Sequence, residues 1–389
     1  MTVLERSTTL GTARLAGIDL ARGLAVFGMF AAHVGPEPSV GGVTGVLMEF
    51  VQGRSSALFA LLAGLSLAIM SGRREPLSGS AWRVAAGRIA IRGVMLLLFG
   101  TALTMTGTSV QVILAYYGVY FLLALPFTRL RAPVLIAIAA VTAVVGPLLS
   151  FGVRWALGES GWDQLITAND PIQAIGGEGF LRLLFTGSYP VATWMPFVFA
   201  GMALGRMDLA STTTRIRLAI TGPVLTVVGY GGSAFAMSLF GIEDGFSYKT
   251  LDVGPEDLVS GAVSTGSPSS LLAATPHSGT PFEIAGNIGV AITILVAALA
   301  LTDEVARPWL WRPVTAVGSM SLTSYVLHVI AIGVMGLGAQ QSEPVGVLLG
   351  FIAGVVVFAL VWSRFFRRGP LEFLLHRATA PAQRLLRQN

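Results

Sequence analysis

Apolar residues in this chain come in long uninterrupted blocks, not in alternating or one-sided patterns. Ten blocks stand out, at roughly 15–34, 56–71, 93–108, 110–127, 133–151, 188–205, 217–240, 282–301, 314–335 and 344–363. A membrane-spanning helix needs about 20 such residues. In lipid the backbone must satisfy its own hydrogen bonds, so a block of this kind is read as a helix. The blocks at 56–71 and 93–108 are short and are expected to extend into their polar flanks. The predicted fold is an all-α polytopic membrane protein, a bundle of about ten transmembrane helices forming one domain over residues 1–389. The first fourteen residues are polar with no apolar core, and are expected to be a cytoplasmic start and not a cleaved signal.

Charge orients the bundle. With the N-terminus inside, twenty of the 25 basic residues fall in cytoplasmic segments and four (Arg54, Arg154, Arg182, Lys249) outside, leaving Arg22 within the first helix. Basic residues favour the cytoplasmic side, so both termini are expected there, in a multi-pass protein of the cytoplasmic (inner or plasma) membrane. Two long outer loops, 152–187 and 241–281, carry tryptophans and carboxylates. They would cap the bundle or receive a sugar-like ligand.

Composition agrees. Only 12% of residues are charged and 53% are apolar, against about 25% charged in soluble domains. The net charge of +5 lies at the ends of apolar blocks, which points to topology and not to nucleic acid. Cysteine is absent, which excludes disulfides and thiolate chemistry. No phosphate-binding loop, dinucleotide fingerprint or metal-ligand spacing is found.

Chemistry is expected where polar groups enter apolar blocks, because such groups are costly there. The first helix holds Asp19, Arg22 and His33. Asp19 and Arg22 are three apart and can pair on one face. Arg22 and His33 are eleven apart, three turns plus about 20°, so they share a face about 16 Å apart. A cation thus sits near the cytoplasmic end and an imidazole near the outer end. His277 lies just before the eighth block, where Ser278 or Thr280 could cap the helix with Glu283 in its first turn. His328 lies inside the ninth block. Arg54 starts the second helix on the outer side, able to close onto Glu49 or hold an acidic ligand group. Arg88 and Arg92 are four apart on one face at the inner side, suited to phosphate or to setting topology.

The stretch RLAGIDLARGLAVFGMFAAH resembles the first helix of the transmembrane acyltransferases related to heparan-alpha-glucosaminide N-acetyltransferase, including the bacterial YeiB-like proteins. QGRSSALFALLAG, VGSMSLTSYVLH and RRGPLEFLLHR resemble later parts of the YeiB-like group, and the Arg22–His33 spacing is similar to the acyltransferase-3 family. The resemblance implies transfer of an acetyl or related group from cytoplasmic acyl-CoA to an acceptor across the membrane, often a sugar. Human-type relatives have asparagine at the position matching His33 and a catalytic histidine in the following outer loop. Here residues 34–55 contain no histidine, so either His33 acts or His277 supplies the imidazole.

The expected function is therefore acyl transfer from acetyl-CoA or another acyl-CoA to an extracytoplasmic sugar, glycan or glycolipid. His33, His277 and His328 are the catalytic candidates. Arg22, Arg88 and Arg92 would hold the donor, and Asp19, Arg54, Ser278 and Glu283 would line the acceptor side. Expected partners are the acyl-CoA, the acceptor and membrane lipid, with no metal and no nucleic acid; homo-oligomerisation is left open. The alternative is a transporter or flippase of a lipid-linked or anionic compound, using the same buried polar groups as a path.

Overall fold

A computed structural model describes residues 3–242, 263–304, 308–338 and 343–380, and among these residues there is no β-strand. The chain opens with α1 (Val3–Val34), then α2 (Gly42–Val51), α3 (Arg54–Met70) and α4 (Gly79–Thr104). Next come α5 (Leu114–Ala124), α6 (Ala132–Ser160), α7 (Trp162–Ala168), α8 (Pro171–Ala174) and α9 (Val191–Arg206). A helix over Thr212–Leu239 is interrupted by a π turn at Val227–Gly231. Its halves are α10 (Thr212–Thr226) and α11 (Gly232–Leu239). The last part contains α12 (Pro281–Glu304), α13 (Arg312–Ser319), α14 (Ser321–Met335), α15 (Val345–Phe365) and α16 (Pro370–Ala378).

This is a multi-pass membrane architecture. Among the described residues, seven helical stretches are long and apolar enough to cross a bilayer, or eight if the pair α13 and α14 counts as one span. All ten expected blocks are helical, but α5 has 11 residues and α9 has 16, too few to qualify by length. The short second and third blocks do extend as expected. Block 93–108 gains almost four turns at its start in α4, and 56–71 continues backwards through α2 to Gly42. Block 314–335 is not one rod, because α13 and α14 meet at 86°. The outer segment 152–187 is largely helical, whereas most of 241–281 up to residue 262 lies outside the described residues.

Packing explains the short helices. Thirteen of the 16 residues of α9 are buried, and the largest buried side chains include Tyr116 and Tyr120 of α5. A helix apolar on all sides is stable when protein surrounds it. Glycine lets the central helices touch: a Cβ on Gly64 would strike the Val198 carbonyl, and one on Gly201 the Leu61 carbonyl. The same device crosses α1 over α13, where side chains at Gly23 or Gly318 would strike Val314 or the Asp19 backbone. Small residues are favoured wherever helices approach closely in a membrane. At the end of α9, Arg206 is 5% exposed. It donates to the carbonyls of Ala68 (3.2 Å), Leu130 (3.3 Å) and Thr128, and to the hydroxyl of Ser71 (2.8 Å). One guanidinium thereby satisfies backbone acceptors left over where neighbouring helices end.

Candidate active site

The last turn of α1 carries His33, and the middle of α14 carries His328. Their rings stack with centroids 5.2 Å apart and planes within 4°. His33 Nδ1 lies 2.9 Å from His328 Nε2, a hydrogen bond in which one nitrogen donates and the other accepts. His328 is 3% exposed. It is wedged between Phe30, 4.6 Å away, and Tyr325, 5.0 Å away. Its Nδ1 faces the carbonyls of Ser324 and Tyr325 on its own helix without a well-aligned bond. Tyr325 is itself pinned by accepting the Ile113 N–H at 3.2 Å. Two of the three expected histidines thus meet directly.

The third stands beside them. His277 adopts φ 62, a left-handed backbone that few non-glycine residues tolerate. Glu283 holds it there: the carboxylate accepts the N–H of His277 at 2.8 Å and of Gly279 at 2.7 Å, the Ser278 hydroxyl at 3.3 Å and the Asn287 amide at 3.0 Å. Thr280 in turn caps the helix by accepting the Glu283 N–H at 3.2 Å. Thr280 is thus the N-cap, and Glu283 reaches back past it to the N–H groups of Gly279 and His277, so Ser278, Thr280 and Glu283 build the loop that presents His277. The His277 ring packs on Tyr189 at 5.4 Å and Trp194 at 6.0 Å. Burial pushes its pKa down to about 4, so it is neutral at pH 7. It lies close enough to His33 for a charge on one to be felt at the other. The loop also packs on Gly53, the hinge between α2 and α3.

Arginines gather at the other end of α1. Arg22 forms the expected ion pair with Asp19, at 2.8 Å, and donates to the Ser66 hydroxyl at 2.7 Å. Arg92 reaches the Met70 sulfur at 3.1 Å, and its Nε is buried with no hydrogen-bond partner. Arg22, Arg88 and Arg368 all act on Arg92 electrostatically. Burial, together with Arg368, Arg88 and Arg92, lowers the pKa of His376. A cavity of about 670 Å³ opens nearby, walled by Ile18, Leu65, Ile69, Arg73, Arg74 and Glu75. Its lining includes Arg73 and Arg74 but not Arg22, Arg88, Arg92 or Arg368.

Arg54 takes another position than the Glu49 carboxylate. It donates to the backbone carbonyls of Glu49 (2.9 Å) and Phe50 (3.2 Å) and rests over the Tyr230 ring at 4.6 Å. It closes the end of α2. Four contributors are not among the sequence candidates. Arg368 reads in sequence only as a topology charge. Tyr189 and Trp194 are the walls of His277. Glu372 accepts the Leu322 and Thr323 N–H groups at 2.9 and 3.2 Å and so caps α14. The stretch RRGPLEFLLHR, which holds Arg368 and Glu372, was the only signal for two of them.

Comparison with known families bears on the same residues. The family model described as heparan-alpha-glucosaminide N-acetyltransferase, catalytic, matches residues 14–234. The chain belongs to this family. A second model, a protein family of unknown function (DUF418), matches residues 262–382. Membership brings the fold and a membrane acetyltransferase-like class with it. The first match contains His33 and the arginines of α1 and α4, whereas the second contains His277, His328 and Arg368. The His33–His328 hydrogen bond therefore joins the two matched regions. No curated protein matches the chain.

Proposed function

We propose that the protein transfers an acyl group from acyl-CoA, acetyl-CoA in the first instance, to a hydroxyl or amine of an extracytoplasmic sugar or glycolipid. The observation that carries this reading is the His33–His328 pair at one end of α1 with the arginine group at the other. The donor's phosphates would bind Arg88, Arg92 and Arg368, with Arg22 deeper, and its thioester would extend toward His33. Arginine suits phosphate because its planar fork matches two oxygens at once.

In the productive tautomer His33 Nδ1–H donates to His328 Nε2, which leaves the lone pair on His33 Nε2. That nitrogen takes the proton of the acceptor as the acceptor oxygen or nitrogen attacks the thioester carbonyl. The carbon–sulfur bond breaks, and the imidazolium returns its proton to the departing thiolate. A positioned imidazole of this kind contributes about 10² to 10⁴ in rate. His328 orients His33 and shares the charge that develops on it. His277, held by Glu283 and packed on Tyr189 and Trp194, would act on the acceptor from the side of His33.

The test is release of free CoA from acetyl-CoA by purified protein in proteoliposomes supplied with amino sugars and glycolipids. Saturable turnover that His33→Ala abolishes supports the reading. Equal turnover by the two proteins overturns it.

A further inference from the structure

His328 also lines a groove of about 530 Å³ between α14 and α15, walled by Phe30, Ala331, Met335, Val347 and Phe351 among others. Two glycines, Gly350 and Gly354, form the α15 side of it. Elsewhere in the bundle most helical glycines are pressed against a neighbouring backbone, as at Gly23, Gly64 and Gly201. A Cβ at Gly350 or Gly354 would meet nothing within 4 Å. Their smallness opens space and does not serve helix packing. The second observation is His328 itself, 3% exposed, which puts an imidazole in a largely apolar groove wall.

The surroundings identify the occupant. α15 is the least covered of the spanning helices, with 17% of its apolar window buried, so the groove opens sideways onto hydrocarbon. Met335 at its edge is 60% exposed. Apart from His328, Ser324 is the only polar side chain in the wall, and its hydroxyl is spent on the Met320 carbonyl at 3.0 Å. A bare sugar would find no partners there. From Ser324 to Met335 the groove runs about 16 Å along the helix, close to half of a bilayer core about 30 Å thick. Its volume is that of an ordinary ligand site.

We propose that the acyl acceptor is a membrane lipid, one hydrocarbon chain of which lies in the α14–α15 groove and brings its head-group hydroxyl or amine to the histidine pair. The inference rests on the acyl-transfer reading and gives its substrate class. The acceptor enters from the bilayer while the thioester enters from the basic end, so the two substrates do not compete for one door. The lipid O–H or N–H gives its proton to His33. The new ester or amide bond forms as the carbon–sulfur bond breaks, and the thiolate recovers the proton.

The experiment uses the full chain in vesicles of phosphatidylethanolamine and phosphatidylglycerol doped with a phospholipid bearing a photoactivatable diazirine in one chain, and acetyl-CoA labelled in the acetyl group. Cross-links are expected on 327–335 and 347–358, and label in the organic extract. Gly350→Leu with Gly354→Leu fills the groove; it should lower both signals at least tenfold while leaving acetyl-CoA binding unchanged. Gly350→Ala, one methyl group, should give a partial loss at unchanged thermal stability. Cross-linking indifferent to these substitutions overturns the proposal, as does label found only in added water-soluble glucosamine. Cross-links displaced by palmitoyl-CoA at concentrations where excess phospholipid does not displace them would make the groove a donor site and likewise overturn it. Groove cross-links in a protein that consumes no acetyl-CoA would defeat the acyl-transfer reading and leave the lipid site standing.

Discussion

His33 Nδ1 and His328 Nε2 are 2.9 Å apart in rings parallel to within 4°, although 295 residues separate them in the chain. If His33 carries the proton, His33→Ala should lower kcat by about 10² to 10⁴. His328→Ala leaves a ring nitrogen unpaired and should cost about 1–3 kcal/mol in the transition state, roughly tenfold to a hundredfold. The double variant should be no slower than His33→Ala alone, because the two act as a unit. Rates of CoA release by the four proteins check this, and additive losses would show that His328 works independently.

His277 makes stability depend on pH. Its pKa in the fold is about 4, well below the ordinary 6.5, because burial disfavours the charged ring. The unfolded chain binds the proton more readily in that interval. The stabilisation is therefore complete above about pH 6.5 and is lost as pH falls toward 4. Melting temperature should fall between pH 7 and pH 4.5 more steeply in the native protein than in His277→Asn. Asparagine is chosen because it tolerates the left-handed backbone found here.

Glu283 should be worth more to the fold than to any bound molecule. Four donors converge on its carboxylate. Glu283→Ala strands them in a buried loop at about 1–3 kcal/mol for each group left unpaired. Thermal unfolding in detergent should show a loss of several degrees. Glu283→Gln, which keeps an acceptor oxygen, should lose less.

Arg88, Arg92 and Arg368 should act together on the donor. Alanine at Arg88 and Arg92 is expected to weaken acetyl-CoA binding by about 1.5–3 kcal/mol per lost charged hydrogen bond, tenfold or more in Kd for each. Arg368→Ala should weaken it similarly, and all three variants should show a flatter dependence on salt. Calorimetry measures both. Unchanged affinity in Arg368→Ala would remove that residue from the donor site.

Arg206 offers a structural control. Its guanidinium answers three carbonyls from two separate segments, the end of α3 and the turn after α5, and Lys cannot reproduce that fork. Arg206→Lys should destabilise the protein in thermal melts while leaving acetyl-CoA affinity per folded molecule intact.

Hydropathy made the helices legible, since every long apolar block proved helical. It did not reveal the 86° break after Ser319, because the serines and threonine around it are small enough to be carried inside one apolar block, nor that the segment before Gly53 is itself helical. The Arg22–His33 face could be read from helical periodicity within one segment. The meeting of His33 with His328 could not, because it depends on how α1 and α14 cross. Arg368 was hidden for the same reason: in sequence it is one of several tail arginines, and only the docking of the tail beside α4 gives it neighbours. Arg54 does close onto Glu49, but through the open backbone carbonyl at the end of α2 and not the carboxylate, a choice that its charge alone does not foretell.

The brevity of α5 and α9 has a consequence for transport of the reacting group. Sixteen residues make about 24 Å of helix, and the eleven of α5 with the five-residue 3-10 turn that continues it about 26 Å, less than the hydrocarbon around them. The centre of the bundle is therefore a thin partition set in a thick wall. A molecule reaching in from one face need not be carried through the membrane for its tip to be touched from the other.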